Sequence, residues 1–306
     1  MPASPHTNRP APSRERIRRG LRIAAWVLIS GTLGSACTTT TRPEPPSAPP
    51  PPAGSIKGSA TVHDAASRSA LVARAQLALP AAANGGAVYL GPWRDRPVPG
   101  PMAKLPVVLF MHGSSGLGLK AIGEWQRWLA GLGVASVAPD SFALPDRLTY
   151  VSPVDRATYE RIHALRTSEI APMLDTLRTS PWVDPARIVL AGTSEGSVAV
   201  ARHAGDGFAG RLIYTWSCED NYFVGAARTA TAPTLPVLNV ISSTDPYFSS
   251  SNAWLDRPQA QGHCGAALAT HPRATIVLIP GAPHTLLNLP AARDATAAFV
   301  RDVLRP

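Results

Sequence analysis

Gly192-Thr193-Ser194-Glu195-Gly196 sets a serine between two glycines, each two positions away. The residues before it, RIVLAG, form an apolar run, and the residues after it, SVAVARHA, have helical composition. A serine at such a strand-to-helix junction occupies a strained backbone position. Flanking glycines remove the Cβ atoms that would strike neighbouring chain. The hydroxyl then projects above the sheet, and the next backbone N–H faces the place where an oxyanion develops in acyl transfer. A bare G-x-S-x-G also arises in Gly-rich loops. Its position after one strand and before one helix makes it a nucleophile signal.

A serine hydroxyl needs a base at neutral pH. In α/β architectures that use this turn, an acid and then a histidine follow the serine along the chain. PVLNVIS runs into Ser242-Ser243-Thr244-Asp245-Pro246, and TIVLIP runs into Gly281-Ala282-Pro283-His284. Asp245 and His284 therefore each lie just past a strand. The intervals of 51 and 39 residues leave room for crossover elements. Asp245 would hold the imidazole tautomer, and His284 would take the Ser194 proton and return one to the leaving group. Glu219 and Asp220 are the competing acids. Of the other histidines, His263 and His271 are the substitutes. His63 precedes the main sheet, His163 falls mid-helix and His203 lies on the helix after Ser194.

Oxyanion donors should come from the turn itself and from an earlier loop. VVLFMHGSSGLG supplies that loop, so the N–H groups of Ser114 and Glu195 are the expected pair. His112 is read as a brace for this loop. GSSGLG lacks the spacing and the Lys-Ser/Thr of a phosphate cradle, and it lacks the dinucleotide fingerprint. The Glu195 carboxylate needs water or a cation nearby, since an unpaired buried charge is costly. Its side chain is expected to tuck outward against an Arg, with a role in leaving-group preference as the rival reading.

The elements that must position these residues alternate along the chain. Strands are expected at Val107–Met111, Val134–Ala138, Arg187–Ala191, Leu212–Trp216, Val237–Ile241 and Thr275–Ile279. Helices are expected at Ala121–Leu132, Arg156–Thr179, Ser197–Ala204 and Ala291–Leu304. Such alternation implies a mostly parallel central sheet flanked by helices on both faces. Chemistry in these sheets sits past the carboxyl ends of the strands. Trp125 and Trp128 read as core. The aromatics of 216–223, with Tyr247, Phe248 and Trp254, could line a pocket.

VVLFMHGSSGLG, EWQRWLAGLGVASVAPDSF, the long helix, VDPARIVLAGTSEGS and the Asp245 and His284 loops together resemble the α/β-hydrolase superfamily. More narrowly, they are similar to the dienelactone hydrolase family over about residues 100 to 305. The resemblance implies the α/β-hydrolase fold and a catalytic set of Ser194, Asp245 and His284. Founding members of that family carry Cys as nucleophile, whereas Ser-bearing relatives include carboxylesterases and other hydrolases. The implied reaction is cleavage of carboxylic esters or lactones through an acyl-enzyme, with small-molecule or lipid-like ester substrates. No metal or organic cofactor is implied. Asp140, in Ala-Pro-Asp-Ser-Phe, matches a family feature and reads as a loop brace. A peptidase or polyester depolymerase on the same triad is the alternative among enzymes. A non-catalytic envelope lipoprotein that keeps the fold is the alternative among binding proteins.

The chain has 306 residues and a formal net charge of +9, with 32 Pro and 3 Cys. Residues 1–36 hold six Arg and one Glu, so +5 of the +9 belongs to them and +4 to the rest. That removes the main support for a nucleic-acid partner. Arg14, Arg16, Arg18, Arg19 and Arg22 precede the apolar stretch Ile23–Leu33 and then Gly34-Ser35-Ala36-Cys37. A basic region, a short apolar region and small residues make an export signal. The Cys directly after them resembles a bacterial lipoprotein signal, with Cys37 as the lipidated residue. Gly34 stands where that signal usually has Leu, and Arg18-Arg19 is a weak match to a twin-arginine signal. Residues 37–57 contain seven Pro and read as a semi-rigid tether, and 58–306 as the catalytic domain. The expected location is the bacterial cell envelope, held by the lipid anchor alone, with a secreted or periplasmic soluble form as the alternative. Lipidation of Cys37 leaves Cys218 and Cys264 for a disulfide, worth at most about 4 kcal/mol on the chain-entropy model.

Overall fold

The computed structural model describes residues 54–99, 104–227, 229–255 and 259–305. In chain order the elements are β1 (Ser55–Lys57), α1 (Ala65–Ala73), β2 (Gln76–Leu79), β3 (Tyr89–Pro92), β4 (Leu105–Met111), α2 (Lys120–Gly131), β5 (Ala135–Ala138) and β6 (Thr149–Val151). They continue with α3 (Arg156–Ser168), α4 (Ile170–Thr179), β7 (Val183–Thr193), α5 (Glu195–Arg202), β8 (Gly210–Tyr214), β9 (Val237–Ser242), β10 (Ala274–Ile279) and α6 (Pro290–Val303).

Eight strands form one sheet in the order β10-β9-β8-β7-β4-β5-β2-β3. The six from β10 to β5 are mutually parallel, and β2 and β3 complete one edge antiparallel. Successive residues of β4 alternate between the two faces of the sheet. Val107, Leu109 and Met111 pack with Met173, Leu177 and Val198 of α4 and α5. Val108 and Phe110 pack with Ile122, Trp125 and Val300 of α2 and α6. All five β4 side chains are fully buried, which is why this strand reads as an unbroken apolar run. Strand order, direction and the two helical layers define the α/β-hydrolase fold that the motifs imply. From β4 the chain proceeds to β5 on one side and to β7 on the other. The crevice at their carboxyl ends is thus the topological switch point, where ligands bind in open sheets of this kind.

Several elements differ from expectation. The stretch expected as one helix over 156–179 is two, broken at Glu169. Pro172 has no N–H for the Ser168 carbonyl and its ring crowds that position, so the helix restarts with Pro in its first turn. The Glu169 side chain, fully buried, points inward at the break. Short elements α1, β2 and β3 occupy a region where no periodicity is readable. β1 pairs antiparallel with β6, so residues 55–57, expected in the tether, belong to the folded body. The expected export signal, Cys37 and the expected tether through residue 53 lie outside the described residues.

Cys218 and Cys264 are joined in a disulfide across 46 positions of sequence. It ties the segment after β8 to the connection between β9 and β10. Buried Asn239 of β9 organises the same junction. Its Nδ2 donates to Ile213 O at 3.0 Å and Trp216 O at 3.1 Å, and its Oδ1 accepts from Cys264 N at 3.0 Å. Such a bond persists in an oxidising compartment.

Candidate active site

Ser194 has φ +52° and ψ −119°, a strained conformation for a side-chain-bearing residue. The surroundings fix it. Its N–H is directed to Tyr214 O at 3.0 Å and Thr215 Oγ1 at 3.1 Å. Ser197 Oγ lies 2.7 Å from both Gly192 O and Tyr214 O, and so spans the turn. A Cβ on Gly196 would sit 2.1 Å from Met111 O, and one on Gly192 would sit 2.7 Å from the Gly196 backbone. Both glycines are therefore required by backbone-to-backbone approach. That approach also presses the start of α5 against the end of β4. Among the described residues neither Ser114 N–H nor Glu195 N–H has an acceptor.

Asp245 and His284 meet as expected, with His284 Nδ1 2.8 Å from Asp245 Oδ2. The other oxygen, Oδ1, accepts from Tyr247 N at 2.9 Å and Phe248 N at 3.1 Å. A fully buried carboxylate thus has both oxygens engaged, and its free direction is toward the imidazole. His284 is partly exposed, with 21 % of its side chain accessible. It lines one cavity of about 410 Å³ together with Ser194, Ser114 and Gly113. No hydrogen bond joins Ser194 Oγ to His284 in this geometry among the described residues. Such bonds often tighten only when substrate is bound.

The competing residues are occupied elsewhere. Glu219 accepts from Gln261 N and Gly262 N at 2.7 and 3.1 Å, and Asp220 accepts from Ala227 N. His163 Nε2 meets Phe223 O, His271 Nε2 meets Thr231 O, and His263 Nδ1 accepts from Gly265 N. Asp140 accepts from Phe142 N and pairs with Arg74, a loop-bracing position.

Behind the turn lies a buried charge cluster that sequence reading missed. Glu195 does not tuck outward. Its carboxylate is fully buried, 2.7 Å from Arg147 Nη2 and 3.4 Å from Arg166 Nε. It also does not line the cavity, so a direct part in leaving-group preference is not supported. The need for a nearby cation is met twice over. Arg166 donates to Glu169 and, at 2.9 Å, to His112 O. Arg147 Nε donates to Ser141 Oγ, which donates to Glu169 Oε1 at 2.6 Å. His63 Nε2 lies 3.1 Å from the same oxygen. Two guanidinium groups thus face two carboxylates in a water-poor interior, where each charge depends on its partners. Arg166 links the donor loop, through His112 O, to the nucleophile turn, through Glu195.

His112 is the brace expected of it. Ser141 N–H donates to its Nε2 at 3.2 Å, which leaves the proton on Nδ1 to donate to Gly113 O at 2.7 Å. Burial, reinforced by the nearby Arg166 charge, holds this imidazole well below its ordinary range. It therefore stays neutral and keeps both bonds. Tyr150, absent from the sequence reading, lines the cavity with its hydroxyl beside Ser114 and Glu195. Burial and the Glu195 charge push its phenol up, so it remains a donor.

No protein-family model matches this chain, and no curated protein matches it. Among solved structures it is similar to a cold-adapted esterase from an Arctic intertidal metagenomic library. That match is 17 % identical, covers 76 % of this chain and 95 % of that one, and has a TM-score of 0.48. It is also similar to Est1E from Butyrivibrio proteoclasticus, at 17 % identity, with 74 % and 93 % covered and a TM-score of 0.46. Esterase PE8 is similar at 17 % identity, with 66 % and 94 % covered and a TM-score of 0.43.

Proposed function

We propose that this chain is a serine hydrolase that cleaves carboxylic esters through an acyl-enzyme on Ser194. The observation that carries the reading is the convergence at one cavity of a strained Ser194 and a His284 held by buried Asp245. The backbone N–H groups of Ser114 and Glu195 serve in this reading as the oxyanion donors. In this reading His284 Nε2 removes the Ser194 proton as Oγ attacks the ester carbonyl. The carbonyl oxygen gathers charge toward Ser114 N–H and Glu195 N–H. Imidazolium, held by Asp245, then protonates the departing alkoxide. Water repeats the sequence with the acyl carbon and releases the acid. The steps need no group beyond these residues and water.

Hydrolysis of p-nitrophenyl acetate and butyrate by the full chain tests the reading. Turnover at neutral pH well above the buffer rate is expected. A folded protein with no turnover of any short ester would count against it.

A further inference from the structure

The cavity wall is aromatic and uncharged. Tyr150, Tyr222, Phe223, Tyr247, Phe248 and Trp254 line it, and among the described residues no Asp, Glu, Lys or Arg does. Three of these rings form a connected series that ends on the candidate base. Tyr222 meets Trp254 edge-on, with centroids 5.8 Å apart and planes at 81°. Trp254 meets Tyr247 at 6.4 Å, and Tyr247 stands 4.6 Å from the His284 ring at 66°. Rings packed in this way hold fixed orientations and present faces and edges to a bound ring at little entropic cost.

On the acyl-transfer reading above, on which this inference rests, the series meets one particular part of a substrate. Asp245 engages Nδ1 of His284, so the leaving oxygen must come within hydrogen-bond reach of Nε2. The carbonyl oxygen points the other way, toward the Ser114 and Glu195 N–H groups. The group attached to the leaving oxygen therefore emerges beside His284, against Tyr247 and Trp254. The donor loop, Gly113 to Gly116, contributes only two serine side chains to the lining.

We infer that the cavity receives the alcohol part of its ester as an aromatic ring. The substrate class is neutral esters of short acids with aryl-alkanols, the ring packing on Tyr247 and Trp254. Among the described residues this wall offers an anionic alcohol part no cation and a quaternary ammonium no carboxylate, and the chain beyond residue 36 carries a net +4. A volume of about 410 Å³ accommodates one ring and a short acyl group.

The test compares kcat/KM of the full chain on benzyl acetate and cyclohexylmethyl acetate, which match in size and differ in the ring. Methyl phenylacetate, with the ring on the acyl side, and acetylcholine are run beside them. Benzyl acetate is expected to exceed cyclohexylmethyl acetate by roughly three- to tenfold, the worth of one or two aromatic contacts. Trp254→Leu and Tyr247→Leu should reduce that ratio toward one, and Trp254→Phe and Tyr247→Phe should keep most of it. The ratio is internal to each variant, so partial loss of folded protein does not move it. A ratio near or below one in the parent overturns the inference, as does a preference for methyl phenylacetate or acetylcholine. No turnover of any of the four esters, or of p-nitrophenyl acetate, overturns the hydrolase reading itself.

Discussion

Replacing Ser194 with Ala is expected to lower kcat on p-nitrophenyl butyrate by about a millionfold, with KM little changed. The hydroxyl is the atom that bonds to the acyl carbon, and nothing else at the turn can replace it. His284→Ala should cost about as much, because an unassisted serine hydroxyl is a poor nucleophile. The double variant should be no worse than either single one, since the two residues act as a unit. Asp245→Asn is a subtler change. An amide nitrogen facing His284 Nδ1, now 2.8 Å from the carboxylate, would favour the wrong imidazole tautomer. A loss on the order of ten-thousandfold is expected with the fold intact. Steady-state kinetics with circular dichroism on each variant checks this. More than a few per cent of parental kcat in Ser194→Ala or His284→Ala would remove that residue from the triad.

Replacing Arg166 with Met should have the largest effect on stability. Arg166 is fully buried, donates to Glu169 and to His112 O, and faces Glu195. Met is close in length and leaves no large cavity, so the change is chiefly one of charge. It strands one carboxylate oxygen of Glu169 and half the partnership of Glu195 in the interior. Breaking a buried pair from one side costs about 3–5 kcal/mol, read as a lowered urea midpoint. Arg166→Met with Glu169→Gln should recover part of that loss, because the second change removes the stranded charge. The double-mutant coupling identifies the pair. Residual folded Arg166→Met should show reduced kcat with little change in KM, since His112 O loses its donor and the Ser114 loop its anchor. An unfolding free energy within about 0.5 kcal/mol of the parent would show that Arg166 adds nothing net to stability.

The two kinds of residue differ in how legible they were. Ser194 and Asp245 follow buried parallel strands and His284 follows the parallel edge strand β10, and all three strands announce themselves as apolar runs bounded by Gly and Pro. The motif and the element that positions it lie side by side in the chain. The charge cluster has no such local sign. Arg147 sits in a connection, 48 positions from Glu195, and Arg166 lies in a helix whose composition looks solvated. A signal was present all the same. Tyr159, Ile162, His163 and Arg166 fall at helical spacing on one face, and all four are buried. An arginine in phase with an apolar stripe is a candidate for a buried partner. The edge strands β2 and β3 were missed for another reason. At four residues each, they are too short to show alternation. The break at Glu169 was readable from Pro172, since a proline inside a helical pattern restarts the helix.

The central claim is that Ser194 is an activated nucleophile. Incubating the folded full-length chain with a fluorophosphonate probe, followed by mass spectrometry of its peptides, tests this most directly. The prediction is stoichiometric phosphonylation on Ser194, abolished by prior denaturation and strongly slowed in His284→Ala. A folded protein that stays unlabelled at Ser194, or that labels there equally well after denaturation, would contradict it.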